Sequence, residues 1–550
     1  PPEQPRTRTL SPSGWLTGLM PADIVITGAH VWGQGPGDIG IRGGRFVEPE
    51  VGPNTEVIDA ADLTVVPGFQ DAHVHTPFAG LNRLRVWLND AETREDYLRI
   101  IAEHAAAHPG PDWITGGGWS MPQFPGGTPP KEDLDAIVSD RPVFLFNRDV
   151  HGAWVNSAAL AAAGITAATP DPPDGRIERD PDTGEPTGTL HEGAAYWVNE
   201  HVVPPPSQTQ WEQAILNGQQ HLHSLGITGW QDAWVTPATQ SAYRSLANSG
   251  RLTGRVVGAL WWDRHRGLEQ IEELRARREL NAPGFHPTTV KIMIDGVLEN
   301  YTGALLEPYC DGCGGHTDNT GLTFVDPDLL QAAVTELDAA GFQVHMHAIG
   351  DRAVRMALDA VAAARTRNGM NDHRHHIAHL QLVQPDDVPR FAQLGVTANC
   401  QMYWASSDAQ MEELTIPFLG EDRARLQYPF GSLARSGARM AMGSDWSVST
   451  ANPLTQIEVG ATRIDPSTPE EPAFLPDERI SVVDGIDAFT AGSAYVNHDH
   501  DGGRVEIGAR ADLALLAADI TQGRITSGHG LSQVPIALTI AGGTIVHSDL

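Results

Sequence analysis

Two histidines one residue apart close an apolar run near the start of the chain, and this spacing suits metal binding. The run begins at Val65 and ends with Asp71, His73 and His75. Alternate side chains of a β-strand point to the same face, so these three would project together. A His-x-His pair alone is weak evidence. Its place at a strand end favours a metal site, because α/β barrels have their active sites there.

Later apolar runs end in residues of the same kind. One run carries His345 and His347 on a single face, the next ends at His379, and another leads through a small-residue turn to Asp445. Each has an ordinary explanation, since histidines can be structural and Gly-Ser-Asp is a common turn. Together they place imidazole and carboxylate ligands at the ends of successive strands, which indicates a metal centre.

Lysine is rare in this chain. Of its 37 Lys and Arg residues, only Lys131 and Lys291 are lysines. Strand alternation places Lys291 and Asp295 on the same face of their strand. In a barrel this face points to the axis, where a buried ammonium group is costly unless it is paired or modified. Two interpretations stay open: an ion pair with Asp295, or reaction with carbon dioxide to a carbamate that bridges two metal ions. Arginine could not form the carbamate because it stays protonated.

Eight apolar segments could form the strands that hold these residues. They are Thr64–Phe69, Thr228–Asp232, Arg255–Trp261, Thr289–Asp295, Phe342–His347, His375–Leu380, Val396–Gln401 and Arg439–Gly443. Helical patterns follow several of them, as at Pro327–Ala340 and Asp351–Arg365. The alternation predicts an α/β fold, a (β/α)8 TIM-like barrel.

Short apolar runs with glycine turns occur at both ends of the chain and predict a small β-sandwich built from both. We assign residues 20–66 and 503–550 to it, and residues 67–80 and 206–502 to the barrel. Two unrelated β-rich caps are the alternative.

The first two predicted barrel strands are separated by far more residues than a crossover needs. Residues 81–205 are therefore predicted to form an inserted domain, a lid over the barrel mouth. We expect a helix near Arg94–His108, a strand near Val143–Asn147 and a loop at Thr169–Thr189.

Composition excludes several classes of function. The net charge of −32 over 550 residues argues against nucleic acid and anionic membranes as partners. The chain shows no long apolar run and no secretory signal pattern. Three cysteines are too few for a disulfide framework, and Cys310-x-x-Cys313 has no second pair to complete a zinc site, so a surface loop is expected. We expect a cytoplasmic protein that acts on a small molecule; a homodimer stays open.

These motifs resemble the amidohydrolase superfamily, and more closely its third family, the YtcJ-like branch. The resemblance extends over almost the whole chain. Its segments are Pro67–His75, Trp113–Trp119, His151–Leu160, Val290–Gly296, His347–Ala353, His379–Gln381 and Gly443–Asp445. In addition, Leu298–Gly303 resembles the N-substituted formamide deformylases of that branch.

The resemblance implies a role for each ligand. Zinc is the default for imidazole and carboxylate ligands, with iron, manganese and nickel as alternatives. The family pattern has one histidine on this strand, assigned here to His347, and His345 is an additional one. His345 either contacts a ligand or packs inside the barrel. The implied arrangement is two zinc ions bridged by carboxylated Lys291, one held by His73, His75 and Asp445 and the other by His347 and His379.

The reaction implied is attack of metal-bound hydroxide on a linear amide or formamide carbon, which releases an amine. Asp445 would carry the proton. Candidates to stabilise the oxyanion are His151, His379 and Tyr301.

Aromatic residues could define the substrate. The candidates are Trp119, Trp154, Trp404 and Trp446. They would form an apolar pocket for a hydrophobic N-substituent, or else pack in the core. The alternatives on the same barrel are a cyclic amide hydrolase, a deaminase or a metal-dependent decarboxylase. A non-catalytic metal-binding scaffold is the third class, disfavoured because the full ligand set is present.

Overall fold

The computed structural model describes residues 20–110 and 112–550. Strands β1 to β22 are Ile24–Val31, Gly35–Arg42, Arg45–Val47, Glu56–Asp59, Thr64–Pro67, Phe69–Val74, Val86–Trp87, Ile114–Trp119, Val143–Asn147, Gly152–Val155, Gly175–Arg179, Pro186–Glu192, Ile227–Val235, Arg255–Trp261, Phe285–Met293, Gln343–Ala348, His376–His379, Thr397–Cys400, Met440–Met442, Leu513–Leu516, Ile536–Ala541 and Thr544–Ser548. Helices α1 to α17 are Thr76–Arg83, Arg94–Ala107, Lys131–Asp135, Ser157–Ala163, Gly193–His201, Gln208–Ser224, Pro237–Asn248, Gln270–Arg278, Pro327–Ala339, Asp351–Asn368, Val388–Leu394, Ile416–Leu419, Glu421–Ala424, Phe430–Arg435, Pro453–Thr462, Val482–Asp487 and Ser493–Val496. None of these helices is both long and apolar enough to cross a bilayer.

Strands from both ends of the chain form one eight-stranded sheet, in the order β22-β21-β20-β5-β1-β2-β3 with β4 beside β1. The antiparallel pair of β20 and β5 joins the C-terminal strands to the N-terminal ones. Ile26, Phe46, Leu515 and Leu538 belong to a buried core enclosed by this sheet. The prediction that both chain ends build one β-rich unit is confirmed, and the alternative of two unrelated caps is wrong; the strands of this unit form a single sheet.

Eight parallel strands form the barrel sheet in the order β6-β13-β14-β15-β16-β17-β18-β19. The predicted first strand, Thr64–Phe69, is wrong in its bounds: Thr64–Pro67 belongs to the sandwich, and the barrel strand starts at Phe69. The chain crosses between the two layers at Gly68. A Cβ there would lie 2.4 Å from Thr228 Oγ1, so the crossing needs a glycine.

The barrel closes between its first and last strands without a strand pair among the described residues. The residues just after β19 make the closing contacts instead. Asp445 N donates to His73 O at 2.7 Å, and His75 N donates to Trp446 O at 2.9 Å. The backbone at the closure therefore carries candidate metal ligands on both sides.

Helices that cover the barrel begin at residues suited to capping. Asp326 accepts hydrogen bonds from the backbone of Asp328 and Leu329 at the start of α9, with Pro327 in the first turn. Ser207 and Gln210 form a capping box at the start of α6. These caps fix where the helices start, and hence where the preceding loops lie.

An inserted six-stranded sheet, in the order β11-β12-β10-β9-β8-β7, lies between α1 and α6 in the chain. The predicted helix and strand are present as α2 and β9. The segment Thr169–Thr189, predicted as a loop, contains the hairpin of β11 and β12 instead. Its Asp, Pro and Gly residues form the hairpin turn, where Gly184 N donates to Asp180 O at 2.9 Å.

The Cys310–Cys313 segment lies at the surface, with Cys313 exposed and both cysteines unpaired. Cys310 Sγ lies 3.9 Å from His316 Nδ1. Among the described residues no further metal-binding side chain joins these two, so this segment does not form a metal cluster.

Candidate metal centre

Three candidate ligands converge at the carboxyl ends of the barrel strands. The ligand atoms of His73, His379 and Asp445 lie within 4.8 Å of one another, and all three residues are buried. Asp445 Oδ1 lies 3.2 Å from His73 Nε2 and 3.1 Å from His75 Nε2. The strand alternation of β6 thus delivers both histidines of the His-x-His pair to one carboxylate.

The cluster contains polar atoms that no neighbour satisfies. Asp445 Oδ1 and His379 Nδ1 are buried and make no hydrogen bond of acceptable geometry. Buried polar atoms without partners are rare in folded proteins, and a bound cation would satisfy both atoms. Imidazole nitrogens with a carboxylate are a common donor set for zinc and other transition metals. The residues present therefore fit a divalent metal ion.

Lys291 lies on β15, buried, and lines the same cavity as the cluster. The ion pair with Asp295 is absent. Asp295 instead accepts hydrogen bonds from the backbone of Ala304, Ile349 and Gly350, at 2.8 to 3.0 Å. Burial lowers the pKa of Lys291 to about 7, although the negative charge of Asp445 acts to raise it. The amine is therefore partly neutral near pH 7.

His347 and His379 lie side by side, with ring centroids 4.4 Å apart. His347 Nε2 is 3.3 Å from Gly296 O, and His379 is held by a hydrogen bond from its backbone nitrogen to Gln401 Oε1 at 2.7 Å. His379 adopts a positive φ of 78°, which turns the chain at the end of β17. Both imidazoles line the cavity, as does His75.

A buried polar network lies beneath the cluster. His345 Nε2 is 2.9 Å from His73 Nδ1, and His345 Nδ1 is 2.8 Å from Gln231 Oε1. Gln231 Oε1 also contacts His376 Nε2 at 3.0 Å. His345 therefore contacts a candidate ligand, as the first of its two interpretations expected, and does more than pack inside the barrel.

His151 reaches the cavity from the inserted sheet. Its Nδ1 lies 3.0 and 3.1 Å from the two oxygens of Glu192, and its ring is 5.7 Å from that of His347. Burial acts to lower the pKa of His151, but the charge and hydrogen bond of Glu192 outweigh it and raise the pKa to about 9. Glu192 in turn accepts a hydrogen bond from Thr302 Oγ1 at 2.8 Å. This pair places a cation at the cavity wall at neutral pH.

Of the four tryptophans predicted for the substrate pocket, one lines the cavity and three lie elsewhere. Trp404 lines the cavity and stacks on His379, with ring centroids 5.4 Å apart. Trp119 and Trp154 pack in the core of the inserted sheet, each donating its indole N–H to a backbone carbonyl. Trp446 is buried against His221, outside the cavity lining.

Tyr301 does not line the cavity either. Its ring packs against Tyr309 and Phe418, with centroids 5.6 and 5.0 Å away. Its positive φ of 59° directs the chain through a tight turn after β15. The ring therefore faces a separate apolar cluster.

The cavity wall is formed by other aromatic residues, which the sequence pattern did not indicate. The cavity has a volume of about 650 Å³. Phe78, Trp234 and Trp261 line it, with the Trp234 ring 6.4 Å from that of His75 between centroids, and Glu192 contacts His151. Both tryptophans stand at the carboxyl ends of barrel strands, a position that signals a site residue. Glu192 gave a weaker signal, as an acidic residue that ends a buried strand.

A buried His and Asp cluster at the carboxyl ends of the strands of an α/β barrel lies where the active sites of barrel enzymes are found, and its side chains suit a metal ion. The sequence profile of the amidohydrolase family matches residues 56–547. The chain belongs to the amidohydrolase family, which confirms the resemblance of its motifs.

Individual relatives agree with this assignment. The putative amidohydrolase YtcJ of Bacillus subtilis is 30% identical over 484 residues, covering 86% of this chain and 88% of the relative. The N-substituted formamide deformylase of Arthrobacter pascens is 26% identical over 502 residues, covering 87% and 89%. The crystal structure of an uncharacterized metal-dependent hydrolase from Pyrococcus furiosus superimposes with a TM-score of 0.67 at 26% identity, covering 91% of this chain and 99% of that one.

Proposed function

We propose that this protein hydrolyses the linear carbon–nitrogen bond of an N-substituted amide or formamide with an apolar N-substituent. The observation that carries the proposal is the aromatic cavity wall, formed by Phe78, Trp234 and Trp261, facing the His and Asp cluster. Apolar walls with a few convergent polar groups are typical of small-molecule sites. The similarity to a formamide deformylase supports the choice of bond.

The ligand set suits two divalent ions, with zinc as the proposed metal. When bound, the metal would polarise the carbonyl oxygen and activate water for attack. The proposed holders are His73, His75 and Asp445 for one ion, His347 and His379 for the other, and carboxylated Lys291 between them.

Carboxylation of Lys291 is part of the proposal. The neutral amine would attack carbon dioxide, form a nitrogen–carbon bond and lose a proton, leaving an anionic carbamate. A buried lysine without an ion pair, whose pKa is lowered to about 7 by burial, supplies that amine.

Two residues of the chain would handle charge and protons. Asp445, whose Oδ1 has no hydrogen-bond partner, would take the proton from the attacking water and deliver it to the leaving nitrogen. His151, held protonated by Glu192, would stabilise the negative charge that develops on the carbonyl oxygen. The barrel supplies Asp445, and the inserted domain supplies His151.

A substrate panel tests the proposal. Metal-replete protein is expected to release formate from N-benzylformamide, measured by coupled oxidation of formate, and to lose this activity after chelation. Hydantoin, an aminopurine and an aromatic acid are the comparison substrates for cyclic amide hydrolysis, deamination and decarboxylation. Turnover of one of these without turnover of formamides or N-acyl amines would replace the proposal by the corresponding alternative.

A further inference from the structure

A second chamber lies beside the cavity of the metal centre. Its volume is about 300 Å³, and His75, Phe78, Trp234 and Trp261 border both spaces. The ring of Trp234 lies 5.9 Å from Phe78 and 5.6 Å from Trp261, measured between centroids. These three rings lie where the cavity of the ligand cluster and the second chamber adjoin.

The second chamber is built by the barrel and the inserted sheet together. Its walls come from α1, from β8 and β9 of the inserted sheet, from β13 of the barrel and from the proline-rich segment before α6. Leu81, Phe144, Val203, Pro206 and Trp211 make much of its surface apolar. A space of this kind suits the apolar arm of a substrate.

One charged side chain in this chamber has no protein partner. Arg85 follows α1 and lines the chamber, where its side chain is half-buried. Among the residues that the structure describes, neither a carboxylate nor a carbonyl oxygen pairs with its guanidinium. Burial lowers the pKa of Arg85 to about 10, so it keeps its charge at neutral pH. A cation that is partly removed from water gains from an anionic partner, because its charge is less well solvated there.

The neighbours of Arg85 leave it free to bind an anion. Asn82 and Asn199 line the same chamber, and their side-chain amides make no hydrogen bond within the described part of the chain. The carboxylate of Asp232 is already bound, by the Tyr243 hydroxyl at 2.7 Å and by a backbone N–H. Glu200, the other carboxylate of the lining, lies at the exposed rim.

We infer that the second chamber binds the carboxylate at the far end of the substrate's apolar arm, with Arg85 as its partner. A single unpaired guanidinium matches the charge and planar geometry of one carboxylate. Helix α1, eight residues and about 12 Å long, separates Arg85 from His75, so the arm must span several bonds. This inference rests on the proposed function and narrows it to N-acyl or N-formyl amines whose N-substituent ends in a carboxylate.

The test compares para-(formamidomethyl)benzoate with its methyl ester. We expect the native protein to favour the carboxylate by about tenfold to a hundredfold in kcat/KM, the range of one charge-assisted hydrogen bond. Arg85→Met should bring that ratio close to one, and Arg85→Gln provides a second variant if the first does not fold. Arg83→Met is the matched control, because Arg83 is exposed and packs over Trp87, outside both cavities. It should keep the ratio of the native protein.

Binding is measured separately, by calorimetry with para-butylbenzoate and para-butylbenzamide. If formamides are hydrolysed without preference for the carboxylate, the inference is overturned and the proposed function stands. If no formamide is hydrolysed but the benzoate binds in a manner that requires Arg85, the carboxylate site stands and the proposed function fails. Equal binding of the benzoate by the native protein and Arg85→Met would also overturn the inference.

Discussion

His345 Nε2 lies 2.9 Å from His73 Nδ1, at the base of the metal centre. This contact leaves His73 Nε2 directed at Asp445, 3.2 Å from its Oδ1. A ligand histidine is oriented by the group that contacts its other ring nitrogen. His345, which is fully buried, therefore positions His73 from within the barrel.

Replacing His345 should weaken metal binding without removing a ligand. We expect His345→Ala to lower the affinity for zinc by about tenfold to a hundredfold, the usual effect of losing such a partner. Competition with a chromophoric chelator measures the affinity, and circular dichroism checks the fold. His498→Asn is a control at a histidine whose ring contacts the backbone carbonyl of His373. Unchanged affinity in His345→Ala would remove its positioning role.

Lys291→Ala should lose more metal affinity than His345→Ala, because it removes a proposed ligand. We expect a fall in metal content from about two ions per chain, with activity reduced by more than the tenfold to hundredfold typical of outer partners. Small carboxylic acids should restore part of both. The other lysine of the chain offers a matched control: Lys131 bonds to Pro186 O in the inserted sheet, so Lys131→Ala should keep metal and activity. Full activity of Lys291→Ala would contradict the carbamate.

The His151 and Glu192 pair predicts the alkaline side of the pH profile. His151 has a pKa of about 9, so kcat/KM should fall as pH rises through that value and the cation is lost. Because Glu192 raises this pKa, Glu192→Gln should move the fall to lower pH. The raised pKa also stabilises the fold fully below about pH 6.5, and this contribution is lost as pH rises through 9. Glu103→Gln is the control, because Glu103 is exposed on α2, pairs with Arg99 and lines neither cavity. Identical profiles for the native protein and Glu192→Gln would exclude this role of His151.

Two tryptophans should separate binding from stability. Trp234→Ala removes cavity wall, so the KM for N-benzylformamide should rise about tenfold, as expected from the loss of apolar contact. Trp154→Ala removes a core residue of the inserted sheet, so unfolding should become easier by about 3–5 kcal/mol while KM of the folded protein stays the same. Steady-state kinetics and thermal unfolding measure the two effects. If KM rose in Trp154→Ala and not in Trp234→Ala, Trp154 would be the residue that contacts substrate and Trp234 would not.

Strand alternation carried most of what the sequence could predict. Together with the alternation of strands and helices, it predicted the eight-stranded barrel and the convergence of His73, His379 and Asp445, because these residues lie at the ends of regular strands. The local pattern of apolar residues also predicted α2 and β9 in the inserted domain.

Tertiary packing decided the rest. The partner of His151 lies 41 residues away, on another strand of the inserted sheet, and no local pattern links them. Whether a tryptophan faces the cavity or the core depends on how the inserted sheet meets the barrel, which is why Trp119 and Trp154 were candidates and Trp234 was not. The boundary at Gly68 was hidden because the sandwich and barrel strands are both apolar and separated by one residue.

The closure of the barrel also constrains how the chain can mature. Ser444 N donates to Asp71 Oδ1 at 3.0 Å, across 373 residues of sequence, and Asp445 and His73 lie beside this contact. Contacts so distant in sequence form late, because a long loop must be ordered first. A nascent chain that has not yet reached Asp445 lacks the carboxylate of the cluster. Metal uptake would therefore follow synthesis of nearly the whole barrel, and would fasten its first strand to its last.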